Sequence, residues 1–146
     1  MTFYDLPSDW PQRSLADPTL AADVVDLVVS DADRTCGGLS FLLCRPGGTL
    51  GQPVFISCGE GDDLEEVVRF MVRTATDHLP ALGGLVLAIV KPRGGLSDAD
   101  RRLHQRAIEI CRAHGSTLWG TYLATLGGVS PLPVAPELVE ERPGAA

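Results

Sequence analysis

The chain is poor in the residues that usually carry chemistry: one lysine, three histidines and 5% aromatics among 146 residues. With only His78, His104 and His114 available, a Ser/His/Asp or Cys/His constellation has no signature here. GxSxG, HExxH, GxGxxG and EF-hand loop patterns are also missing. The four cysteines, Cys36, Cys44, Cys58 and Cys111, are far apart and form no CxxC, which argues against a zinc ribbon and against a disulfide framework. Buried free thiols are expected, the alternative being a disulfide or a mixed Cys/His metal site made from distant residues. No apolar run reaches the roughly 18 residues of a membrane span. The opening MTFYDLPSDWPQR has neither the basic nor the apolar region of a secretory signal, which predicts a cytoplasmic protein.

Positive charge is scarce as well. The net charge of −7 opposes broad binding to nucleic acid or acidic membranes, and Trp10 and Trp119 are not interleaved with basic residues as a nucleic-acid stacking platform would require. The exception is residues 91–112, which carry a local balance of +3. A solvated helix face bearing both signs accounts for that stretch most simply.

What is present is a chain 45% hydrophobic, long enough to bury one core. Residues 1–16, with Phe3, Tyr4, Pro7, Trp10 and Pro11, read as a docked arm on this domain or on a neighbouring subunit. Asp17 as N-cap and Pro18 at the first helical position begin a helix to about residue 29. Two β-rich runs around RPGGTLG predict an antiparallel hairpin near 38–45 and 50–57. Asp62 and Glu65 form a capping-box pattern ahead of an apolar stripe, Leu64, Val67, Val68, Met71 and Ala75, that marks an amphipathic helix. GGLVLAIV is continuously apolar, the mark of a central strand covered on both faces. A helix over 98–114, ended by Gly115, and the strand TLWGTYLATL then complete a right-handed βαβ unit over 84–124. The fold class is therefore α/β: a single domain, 17–132, of three-layer type, its mixed sheet combining the hairpin with the βαβ unit between flanking helices. Residues 133–146, rich in Pro, Glu and Ala, read as a flexible tail.

The stretch IVKPRGGLSDADRR concentrates the candidate chemistry. Ser97 and Asp100 form a capping box, and Asp98 and Asp100 suit the positive end of the helix dipole, each by up to about 1 kcal/mol. Lys91, the sole lysine, ends the apolar strand, where snorkelling is the ordinary explanation. The functional alternative is an anion site in which Lys91, Arg93, the amides of Gly94 and Gly95, Ser97 and Asp100 meet at the strand-to-helix crevice and take a phosphate or carboxylate ligand. His104, Cys111 and His114 lie on one helix and read as two surface histidines and a core thiol. His78 reads as a residue complementing the C-terminal dipole of its own helix.

The order hairpin, helix, buried strand ending in proline, glycine turn, SxxD, long helix, strand and final GGVSPL resembles the RadC-like JAB (MPN) domain family over residues 38–132. The resemblance implies that Ser97 and Asp100 keep the SxxD and that Pro92 keeps the proline of the HxHP motif. It also implies that Ile89 and Lys91 stand where the two zinc-binding histidines belong and that Trp119–Thr121 stands where an LDH motif belongs. The resemblance, so altered, implies a domain without catalytic residues, metal or cofactor. The implied function is a non-catalytic protein-binding or assembly module, through self-association or a protein partner. A small-molecule (phosphate or carboxylate) binding or enzymatic domain using Lys91 and the Gly94–Gly95 turn is the first alternative, and a DNA-associated accessory role the second.

Overall fold

Strand β3, Gly84–Val90, is buried along its whole length and sits at the centre of a five-stranded sheet. Its seven residues are glycine, alanine and branched apolar side chains, so neither face tolerates water and both must be covered. The computed structural model describes residues 6–132 and covers those faces with two helical layers. The expected tail over 133–146 and residues 1–5 of the arm lie outside the described residues.

Helix α1 spans Pro18–Val28 and α2 spans Asp31–Cys36. The hairpin β1, Gly38–Cys44, and β2, Leu50–Ser57, follows, then α3, Leu64–His78, and β3. Helix α4, Asp98–Ala113, leads into β4, Thr117–Thr125, and β5, Gly128–Pro131. The strand order is β2-β1-β3-β4-β5, with β3 and β4 parallel and every other pair antiparallel. This is the mixed α/β sheet expected, with the helix-bridged parallel pair inside it.

Period-two alternation sorts the strands onto two faces. Leu39, Phe41, Leu85, Leu87, Ile89 and Leu123 point to the layer of α3 and α4. Leu42, Val86, Ala88, Val90, Tyr122 and Ala124 point to α1. Leu15 is buried in the α1-side core, and its amide donates to the Gly48 carbonyl at 2.9 Å, so the described end of the arm rests on its own domain. The Tyr122 hydroxyl donates to the Pro18 carbonyl at 3.3 Å and ties β4 to the start of α1.

Several local features depart from the expected pattern. Asp63, not Asp62, caps α3 and accepts from the Glu66 amide at 3.2 Å; Asp62 instead accepts from the Gly59 amide at 2.7 Å and shapes the loop ahead of the helix. Glu65 does not close a box, because Arg69 and Arg106 hold it. The register of β3 with β4 slips at Leu85/Val86, so that Leu118 and Gly120 are consecutive partners and Trp119 is the extra residue of a bulge. Helix α2 was not foreseen. Its Arg34, 5% exposed, donates to the carbonyls of Val29, Asp26 and Thr125 and to the Asp26 carboxylate at 2.9 Å, joining α1, α2 and the end of β4.

Candidate functional site

Strand β3 delivers Lys91 to the edge of the core. The β3–β4 ladder continues one step past the strand, the Lys91 amide donating to the Ala124 carbonyl at 3.0 Å, so the backbone there is fixed. The turn through Gly94, whose φ of 102° suits glycine, returns the chain to Ser97. The capping box then forms: the Ser97 hydroxyl accepts from the Asp100 amide at 3.1 Å, and Asp100 Oδ2 accepts from the Ser97 amide at 3.0 Å. The same Oδ2 accepts from Lys91 Nζ at 2.7 Å. Asp100 is only 8% exposed, so its carboxylate is withdrawn from solvent beside the end of β3.

This ion pair borders a cavity of about 240 Å³ where α2, β2 and β3 end side by side. Gly37, Gly38, Cys58, Gly59 and Glu60 also line it. Gly38 is required there: its φ is 156°, and a Cβ would lie 2.1 Å from the Ile56 carbonyl oxygen. Burial, with help from Asp62 and Cys36, pushes the Cys58 thiol up from its ordinary range, so it is a weak nucleophile. Glu60 and Cys58 belong to the CGEGDD loop, whose place beside Lys91 follows from the β1–β3 pairing and not from any local motif.

The remaining members of the predicted anion set are placed elsewhere. Gly94 and Gly95 border a separate cavity of about 380 Å³, shared with Gly127, Gly128 and Ser130 beyond the carboxyl end of β4. Arg93 is exposed and lines neither cavity. The structure thus groups Lys91, Ser97 and Asp100 in one hydrogen-bonded unit and sets Gly94 and Gly95 on the neighbouring crevice. Within the basic stretch 91–112, three of the six cations stand in ion pairs: Lys91 with Asp100, Arg101 with Asp98, and Arg106 with Glu65 and Glu109.

The histidines and Cys111 on α4 do not converge. His104 Nδ1 shares a hydrogen bond with Thr121 Oγ1 at 2.7 Å, and burial holds its pKa below the ordinary imidazole value. His114 Nδ1 lies 3.0 Å from the Ile110 carbonyl at the helix end, while Cys111 is a core residue whose thiol burial pushes up to about 12. Among the described residues no group of three or more His, Cys, Asp and Glu side chains is arranged to hold a metal ion. None of the helices among those residues is long and apolar enough to cross a membrane.

No family model, no curated protein and no solved structure matches the chain.

Proposed function

We propose that this is a RadC-like JAB-type domain that carries out no metal chemistry and acts as a protein-binding or assembly module. The order of elements on which the resemblance rests is the order in the fold, from the β1–β2 hairpin through the capped α4 to β4 and β5. One observation carries the reading: Lys91 Nζ sits 2.7 Å from Asp100 Oδ2. An ammonium therefore supplies the positive charge that a zinc ion would bring to this carboxylate. The residues present do not fit zinc. Ile89 is buried, 4% exposed, and has no lone pair, while Lys91 would have to lose its proton and its partner to become a ligand. Ser97 is committed to the helix cap.

Elemental analysis of protein purified without chelator tests this: substoichiometric zinc is expected. Stoichiometric zinc that disappears in Asp100→Ala would overturn the reading. Sedimentation velocity over a wide concentration range tests the self-assembly part, which a monomer at every concentration would remove.

A second reading, a small anionic ligand held at the Gly94–Gly95 turn, is supported by the crevice those residues share with Gly127 and Gly128. It lies beyond the carboxyl ends of the parallel strands, where open α/β sheets place ligands. Titration calorimetry with inorganic phosphate, on the wild type and on Arg93→Ala, tests it; no heat from the wild type removes it.

A further inference from the structure

The end of the sheet opposite Lys91 holds a further cavity of different character. Strand β1 runs out at Cys44, the register partner of Gly84 at the start of β3. The chain between α3 and β3 is tied to that end: the Gly83 amide donates to the Cys44 carbonyl at 2.8 Å, and the Leu82 amide donates to the Leu79 carbonyl at 2.9 Å, closing a turn through Pro80 and Ala81. In the hairpin, the β1–β2 register slips between Leu43 and Cys44, whose partners are Gln52 and Leu50, so Gly51 is the extra residue of a bulge. The turn and the bulge together border a cavity of about 260 Å³. Its wall is largely apolar, with Leu43, Leu79 and Leu82 as the large side chains. Leu79 is 37% exposed, one of four large apolar side chains left so open among the described residues. The Cys44 thiol, also in the wall, is committed to the Leu42 carbonyl at 3.4 Å.

The charge at this cavity is unlike that of the chain. The net charge is −7, yet the wall carries one cation, Arg45, and no carboxylate. Arg45 is also held in place. Its Nη1 donates to the Leu50 carbonyl at 2.9 Å, and its stem passes Gly51, where a Cβ would lie 3.8 Å from Arg45 Cγ. Among the described residues Arg45 stands in no ion pair, whereas Lys91 and Arg106, which border other cavities, are matched with acids. The rest of its donor fork is left for an anion.

We propose that this cavity binds a small aliphatic carboxylate, its chain against Leu43, Leu79 and Leu82 and its head group on Arg45. The size follows from the volume. An apolar cavity of about 150 Å³ accommodates benzene, so this one has room for a body of roughly six to eight carbons. The head group follows from the charge, since one guanidinium balances the single charge of a carboxylate. Both parts are needed: an ion pair at an exposed arginine contributes little by itself, while each buried methylene raises affinity about fourfold. No residue borders both this cavity and the one beside Lys91, so the failure of either proposal leaves the other standing.

The test titrates the full isotope-labelled chain with sodium octanoate in the low millimolar range and follows the amide NMR signals. Saturable shifts are expected at Gly51, Gln52, Ala81 and Leu82. Hexanoate should bind roughly tenfold more weakly than octanoate, and butyrate more weakly again. Arg45→Met should weaken octanoate about fivefold and leave octanol, which has the same body and no charge, unchanged. Leu79→Ser should weaken both. Shifts that do not saturate, shifts centred on another part of the surface, or equal octanoate affinity in wild type and Arg45→Met would each overturn the proposal. The length series on the wild type decides the matter should Arg45→Met fail to fold: butyrate binding as tightly as octanoate rules the cavity out.

Discussion

Replacing Lys91 with methionine removes the ammonium from Asp100 while keeping most of the apolar stem, so it isolates the electrostatic part of the interaction. The Lys91 side chain is 28% exposed and that of Asp100 11%, which places the pair between a surface bridge and a buried one. Opposite charges about 4 Å apart attract by about 4 kcal/mol at an effective dielectric of about 20, and partial desolvation of both groups offsets much of that. Breaking a fully buried pair costs about 3–5 kcal/mol, and an exposed pair contributes at most about 1 kcal/mol. Asp100 keeps its bond from the Ser97 amide in the variant, so K91M should lose about 1–3 kcal/mol. With a urea m-value of roughly 1–3 kcal/mol/M, the midpoint should fall by about 1 M at an unchanged slope. D100N retains an oxygen for the helix cap but no charge, so K91M/D100N should be less destabilised than the two single changes combined. A coupling energy of about 1 kcal/mol or more is expected from the double-mutant cycle. Coupling indistinguishable from zero would refute the claim that the ammonium neutralises this carboxylate.

Arg34→Leu removes four hydrogen bonds at the meeting of α1, α2 and β4 and should cost about 3–5 kcal/mol, read as the largest midpoint loss among single arginine variants. The His104 pKa is lowered in the folded state by burial, so the unfolded chain binds the proton more readily. Its contribution is intact above the ordinary value of 6.5 and lost as the pH falls from there through the folded value; His104→Gln should flatten that part of the stability profile. In the reduced native protein, a disulfide reagent at about pH 8 should label Cys36 fast and Cys58 slowly. It should leave Cys44 and Cys111 untouched until denaturant is added, since burial raises their thiols to about 11 and about 12.

Those elements whose signals are local were legible in the sequence. GGLVLAIV announces a strand covered on both faces because composition alone decides whether either face can meet water. The Ser97–Asp100 box is visible because its partners are three residues apart. Where the partners are distant, the sequence was silent. Nothing local marks Arg34 as a tie between elements, since one of its acceptors is the Thr125 carbonyl, 91 residues away. The meeting of Cys58 and Glu60 with Lys91 depends on strand register. The Trp119 bulge depends on how β4 fits against Gly84, where a Cβ would lie 3.1 Å from the indole ring. The Lys91–Asp100 pair was partly readable, both residues having been singled out for the same junction. A sole lysine ending a buried strand, with an acid in the third position of the next helix, points to their meeting, but the anion hypothesis assigned both to a ligand instead.

The borders of the sheet constrain how copies or partners can approach. On one side Pro53 interrupts β2, removing a backbone donor from the outermost strand; on the other, β5 is four residues long and closes on Pro131. Among the described residues, neither margin offers a long uninterrupted row of amides and carbonyls for another chain to continue. A copy or partner docking on this domain would thereby meet side chains of its helical layers and loop ends, where sequence, and not backbone pairing, would choose the companion.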